Sequence, residues 1–365
     1  MRRARWLASI GAGGLALLAL LSLGGCAELG YLRQSAAGHL RLMAAAKPVD
    51  EVLAQPGVSA DLRQRLLLSQ RMRSFAVSEL KLPDNSSYRR YADLGRPAVV
   101  WNVVAAPELS LQLKTWCFPV MGCVGYRGYF DQAQAQAFAA ELQRQDASLE
   151  VQVYPVPAYS TLGWSNWVGG DPLLNTFIRY PEGELAGLIF HELAHQVAYV
   201  ADDTPFNEAF ATAVERRGAA AWLSGQASPA AREAYAKRQL RREQFRALTG
   251  RYRQQLAALY AGPLSAAEQR AAKAALLQDM RQDYERLKAD AWGGDKAYDA
   301  WFAQLNNASL AILSAYTDLS PAFEALLDHE QGDWQRFYVQ VQRLAALPKS
   351  QRLQELLNNK SPGAH

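Results

Sequence analysis

His191-Glu192-Leu193-Ala194-His195, continued by Gln196-Val197-Ala198-Tyr199-Val200-Ala201-Asp202-Asp203-Thr204-Pro205-Phe206-Asn207-Glu208, is the stretch around which the rest of the chain organises. Its two histidines are four residues apart. On a helix that spacing sets the imidazoles one above the other on one face, where both reach a single cation at about 2.0 Å. A helix is the expected setting: Pro181 suits a first turn, Glu182 and Glu184 suit the positive end of the helix dipole, and residues 185–200 are largely apolar. A helix apolar almost all round is buried, and two histidines and a glutamate inside it are costly unless something compensates them. The chain has five histidines, so a chance His-Glu-x-x-His is expected only about 0.003 times. Two merely packed core histidines are the weaker reading.

The residues that follow supply a third ligand. Thr204 reads as an N-cap and Pro205 as the first residue of a second helix, so the two helices form an antiparallel hairpin. At a rise of about 1.5 Å per residue, His195 and Glu208 both lie roughly 6–8 Å from the turn, and Glu208 can meet the two imidazoles. Asp202 and Asp203 fall in the turn itself. Glu215, two turns further along the Glu208 face, suits a partner that orients a ligand imidazole. Two histidines, one glutamate and an open fourth position are the ligand set of catalytic Zn2+. Glu192 follows the first ligand directly, so its carboxylate stands beside the metal, where a general base belongs. The reaction also needs a donor to the developing oxyanion. The candidates are Tyr316, Tyr199, Tyr180 and Tyr159, with Tyr316 preferred for its place just after Asn306-Asn307-Ala308; a plain packing tyrosine is the alternative.

Outward from this hairpin the chain is helical almost to its end. Residues 230–287 read as two long helices broken near Gly262-Pro263, and their arginines alternate with glutamates and apolar residues, as on a solvated face. From Lys349 the polar tail reads as frayed. On the other side, Ala98-Val99-Val100-Trp101-Asn102-Val103-Val104 and Leu149-Glu150-Val151-Gln152-Val153-Tyr154 read as strands, with an amphipathic helix over 132–145 between them. The second strand, Val151 to Tyr154, is a candidate edge for pairing with an extended peptide. Residues 27–82 read as helix, and Pro83-Asp84-Asn85-Ser86-Ser87 as a turn. The expected fold is therefore α+β, mainly helical: a zincin-like domain with an active-site helix hairpin and a small β-sheet. It divides into 1–25, 26–97, 98–180, 181–349 and a polar tail, 350–365.

Composition narrows the class further. Half of the 365 residues are hydrophobic, which allows a sizeable core. The formal charge is +4, and without Arg2, Arg3 and Arg5 it falls to +1, which gives no reason to expect a nucleic-acid partner. Those arginines precede the apolar run 7–23, as in an export signal. The run ends in Leu23-Gly24-Gly25-Cys26, which resembles the lipobox of bacterial lipoproteins. The resemblance implies a signal peptide over 1–25, an acyl anchor on Cys26 and a periplasm-facing protein of the cell envelope. Ala27 after the cysteine favours the outer membrane. An uncleaved membrane anchor is the alternative. In that oxidising compartment Cys117 and Cys123 are expected to form a disulfide closing a short loop.

His-Glu-x-x-His followed by Asn207-Glu208-Ala209-Phe210-Ala211 on the next helix resembles the gluzincin metallopeptidases. More closely, residues 191–215 resemble a family of bacterial proteins described as putative aminopeptidases. Three further groups carry the same resemblance: Cys117-Phe118-Pro119 with Cys123-Val124-Gly125-Tyr126-Arg127-Gly128-Tyr129-Phe130; Ala158-Tyr159-Ser160-Thr161-Leu162-Gly163-Trp164 with Asp171-Pro172-Leu173-Leu174; and Asn306-Asn307-Ala308. In the family pattern the Gly-Trp pair runs almost directly into Asp-Pro-Leu-Leu, whereas here residues 165–170 intervene. The resemblance implies a zinc aminopeptidase acting on peptides. The Gly-x-Met-x-Asn signature of one large aminopeptidase group is absent, so the carboxylate that would bind a substrate's free ammonium has to come from elsewhere, with Glu182, Glu184 and Asp171 as candidates. A zinc endopeptidase, a cell-wall peptide hydrolase and a non-enzymatic envelope lipoprotein with structural zinc are the alternatives.

Overall fold

Val100 to Pro107 is apolar on both faces of its pleat, and that pattern puts it in the middle of a sheet with both faces covered. In the computed structural model, which describes residues 30–118, 122–158, 170–201, 203–313 and 319–358, this segment is β3, the central strand of a three-stranded antiparallel sheet. Its neighbours are β6 (Arg127–Tyr129) and β7 (Leu149–Val156). The helix α4 (Gln132–Gln145) has the expected limits and is capped by the Asp131 side chain, which accepts from Gln134 N. It covers the face that carries Trp101 and its register partner Tyr129, whose ring lies 5.6 Å from Phe138. The opposite face carries Asn102, Val104, Ala106 and Tyr154. There Val104 and Ala106 pack on Ala308 and Ala311 of the short helix α10 (Asn307–Ile312). The Asn306-Asn307-Ala308 motif explains this docking. Asn306 caps α10 in a capping box with Ser309, and the Asn307 side-chain amide donates to the carbonyls of Pro107, Glu108 and Ser110.

The amino-terminal region is less continuous than its composition suggests. A helix, α1, covers 30–45. It is followed by the two-residue strand β1 (Lys47–Pro48), then α2 (Val49–Ala54) and α3 (Ala60–Ser78), separated by the turn at Pro56-Gly57. Proline at 48 and 56 ends helix propagation, which corrects the expectation of one helical region over 27–82. β1 pairs with β2 (Arg90–Ala92), and β2 pairs in parallel with β8 (Leu173–Leu174). A separate hairpin joins β4 (Trp116–Phe118) to β5 (Gly122–Val124), with Cys117 opposite Cys123 and bonded to it. These strands are too short to show alternation, so periodicity could not find them.

Helices fill the remainder. α5 (Glu182–Ala194) and α6 (Thr204–Gln226) form the hairpin read from sequence, with the cap one residue earlier than expected, at Asp203. Asp203 makes no capping bond because its carboxylate is taken by Arg352. The long pair α7 (Pro229–Ala261) and α8 (Ala266–Ala291) breaks at Gly262-Pro263 as expected, and α9 (Asp299–Ala303) leads into α10. The carboxy-terminal helices are α11 (Ser320–His329), α12 (Trp334–Ala345) and α13 (Lys349–Asn358). The last corrects the frayed tail: Leu356 is fully buried and the Arg352 guanidinium donates to the carbonyls of Leu344, Ala345 and Leu347. By packing, the chain divides into residues 1–45 and 46–365. No helix among the described residues is long and apolar enough to cross a membrane. Cys26 and Tyr316 lie outside the described residues.

Candidate metal centre

α5 buries Leu185, Ile189, Phe190 and Leu193, and these four residues fix its rotation. His191 and His195 are thereby turned toward α6, and His195 terminates α5 while its N–H still bonds His191 O at 3.3 Å. On α6, Asn207 fixes the register of the hairpin. Its side-chain amide donates to Val200 O and accepts from Val200 N, each at 2.8 Å. That clip sets Glu208 opposite the imidazoles.

Nε2 of His191 lies 3.2 Å from Nε2 of His195. Glu208 Oε2 is 3.4 Å from the first, and Glu208 Oε1 is 3.7 Å from the second. Four donors placed tetrahedrally at about 2.0 Å from zinc stand about 3.3 Å from one another. The two imidazole nitrogens stand at that separation and each faces a different oxygen of Glu208; with one donor atom from each residue, the three lie within 4.8 Å of one another, close enough to converge on one cation. The chemistry of the donors agrees. The other nitrogen of His191, Nδ1, is 3.1 Å from Glu215 Oε2; when it donates there, the neutral ring turns the lone pair of Nε2 toward the second imidazole and Glu208, the state a cation requires. Such a set is stable around a cation.

The electrostatics of the bare chain express the same demand. Burial works against a charged His191, but contacts with Glu208 and Glu215 outweigh it and raise its pKa well above the usual range. Burial, with the charge on His191, pushes His195 down to about 4. Burial would raise Glu208 and Glu215; their contacts with the histidines win and hold both below the ordinary carboxylate range. The site thus favours a positive charge between the two carboxylates, which a proton or a metal ion can supply.

Glu192, the residue after the first histidine, is half-buried. Its charge, with that of Asp171, reaches the buried phenol of Tyr88, whose pKa rises far above its usual value mainly through burial. Tyr88 has a φ of 64°, rare for a residue with a side chain, and its N–H donates to Asp171 O at 2.7 Å. The β2–β8 pairing and Gly170 make this approach possible: at φ +67°, a Cβ on Gly170 would sit 2.3 Å from Ser87 N. Ser87 Oγ in turn accepts from Gln196, just past His195. Of the three acids considered for a substrate ammonium, Glu182 instead accepts from Trp222 Nε1 at 3.0 Å, and Glu184 faces Arg238 at 3.4 Å. Asp171, 1% exposed, is the one that shares a neighbourhood with Glu192.

Two of the four candidate tyrosines are among the described residues. Tyr180 has its phenol near Arg242, and Tyr199 is exposed; Tyr159, like Tyr316, lies outside the described residues. Tyr154, overlooked in the sequence, is on β7 within electrostatic reach of Glu208, and its oxygen accepts from Asn102 Nδ2 at 3.2 Å. Burial pushes its pKa up to about 12. Strand alternation at 150–154 was the available signal, since it puts Tyr154 and Gln152 on one face.

Comparison with known proteins gives one match. The family described as "Putative aminopeptidase" matches residues 30–356. No curated protein and no solved structure matches the chain.

Proposed function

The chain belongs to the "Putative aminopeptidase" family, and from that premise we propose that it is a zinc-dependent aminopeptidase in which His191, His195 and Glu208 hold the metal. The observation that carries this reading is the convergence of one donor atom from each of His191, His195 and Glu208 within 4.8 Å of one another. When bound, zinc polarises a scissile carbonyl and makes water acidic enough to attack near neutral pH. Glu192 takes the proton of the attacking water and passes it to the leaving amine. Glu215 keeps the His191 imidazole turned toward the metal. Tyr154, which accepts from Asn102 and stays protonated at neutral pH, keeps its own proton to donate to developing negative charge; Tyr316 fills the same role in the reading from sequence. β7 pairs with β3 along one edge, and an extended peptide fits its other edge as an added strand. Asp171 is the acid best placed to receive a substrate ammonium.

Metal analysis and paired peptides test this together. The mature protein should hold about one zinc per chain, as a single His2Glu set implies. It should release the first residue from a peptide with a free amino terminus and leave the acetylated peptide intact. Equal internal cleavage of both peptides would exclude an aminopeptidase while leaving zinc chemistry in place. The leader suggests that the enzyme works at the cell envelope, facing the periplasm from the outer membrane and anchored through Cys26. Cys26→Ser should move it from the membrane to the soluble fraction; an unchanged distribution would refute the anchor.

A further inference from the structure

α7 lays a stripe of polar residues along the helix that carries the histidines. Tyr235, Arg238 and Arg242 recur at spacings of three and four, so they share one face. Opposite them α5 presents Gly183, Glu184, Gly187 and His191, again on one face. The two stripes meet in order. A Cβ on Gly183 would sit 2.3 Å from the Tyr235 ring, and Arg238 Nε is 3.4 Å from Glu184 Oε1. A Cβ on Gly187 would sit 3.0 Å from Glu215 Cγ, so the glycine makes room for Glu215 to cross from α6 toward His191. Glu215 has two oxygens. Oε2 is on His191 Nδ1, and Oε1 lies 3.4 Å from Arg242 Nη1. Arg216 also bears on Glu215 electrostatically, but its guanidinium is 3.2 Å from Glu324 on α11.

We infer that Arg242 is a positioning residue for the metal centre: from α7 it fixes the second oxygen of Glu215, and through Glu215 it holds His191 in its ligand orientation. A carboxylate held at one oxygen swings about its Cγ–Cδ bond; held at both, it is fixed in plane and direction. The residues that support a ligand histidine commonly govern metal affinity by about 10–100-fold. Arg242 is one contact further out and about a third exposed (35%), so its share falls below that range. The inference rests on the zinc reading above.

Arg238 provides the control, since it makes the same kind of ion pair from the same helix to an acid that touches no ligand. Zinc affinity is measured by competition with a chromophoric chelator for the wild type, Arg242→Met, Arg242→Lys, Arg238→Met, Glu215→Ala and the Glu215→Ala/Arg242→Met double variant, with thermal melts confirming the fold. Arg242→Met should bind zinc about 5–10-fold more weakly, Arg242→Lys should recover part of the loss, and Arg238→Met should match the wild type. In the Glu215→Ala background Arg242→Met should cost nothing more. Wild-type affinity in Arg242→Met, equal losses in both methionine variants, or full additivity in the double variant would each overturn the inference. A second readout needs no metal: in 15N-histidine spectra of the zinc-free protein, the His191 Nδ1 signal should move in Arg242→Met and stay in Arg238→Met. Should the wild type bind no zinc, the zinc reading fails, and this spectrum still decides whether Arg242 orients His191.

Discussion

The two helical hairpins of this chain use charge in opposite ways. α5 buries eight of its 13 residues, and α7 buries five of its 33. On α5 an ionisable side chain has little water, so its partners matter: His191 meets Glu208 and Glu215, Glu182 accepts from Trp222, and Glu184, its carboxyl pushed up by burial, has Arg238 at 3.4 Å. On α7 charged residues are inexpensive, and pairs such as Lys237–Glu233 sit in solvent and contribute little. A polar residue is therefore informative in the first hairpin and nearly silent in the second.

The largest expected effect lies inside the buried hairpin. Glu192→Gln keeps the size of the side chain and removes the base, so peptidase turnover should fall by about 10²–10⁴-fold with zinc content unchanged. Unchanged turnover would dismiss Glu192 as the base. Next comes packing. Phe190 is fully buried between α3 and α6, with its ring 6.1 Å from Phe75 and close against Gly218. Phe190→Ala should destabilise the fold by about 3–5 kcal/mol in chemical denaturation. A somewhat smaller loss, about 3 kcal/mol, is expected for Arg352→Met, which leaves the buried Asp203 carboxylate without its guanidinium. A change below about 1 kcal/mol would mean that Lys349, 3.7 Å from Asp203, takes over. The smallest effect belongs to α7: Leu240 is 55% exposed, and Leu240→Ala should stay within about 0.5 kcal/mol. A Leu240 loss as large as that of Phe190 would remove the contrast between the hairpins.

The same contrast explains what the sequence disclosed. His191, His195 and Glu208 were legible because a four-residue spacing and a short turn determine where helical side chains go, and because an apolar helix makes polar residues conspicuous. The central strands were legible from their β-branched, alternating residues. Arg242 was not, since on a helix dense in arginine nothing marks the one that turns inward. Tyr88 depends on a left-handed backbone and on contacts with Asp171, 83 positions later, which no local pattern encodes. Tyr154 fell inside a strand that was read correctly, but its approach to Glu208 follows from how the sheet docks on the helices. The helix at Lys349–Asn358 was missed because ten polar-rich residues look frayed until Arg352 is seen plugging three carbonyls and Asp203.

That last contact has a bearing on the order of assembly. Arg352 and Asp203 are 149 positions apart, and Asp203 is the residue from which the Glu208 helix starts. The histidine helix, the turn and the glutamate helix are all neighbours in sequence, yet the shoulder of that turn is clamped from near the far end of the chain. A polypeptide emerging from its amino terminus has all three donors long before it has the clamp. Closing so long a loop is slow beside forming a local hairpin. A chain lacking the carboxy-terminal helix would carry every donor and the Asn207 clip, and would lack only the guanidinium that neutralises Asp203 at the shoulder of the turn.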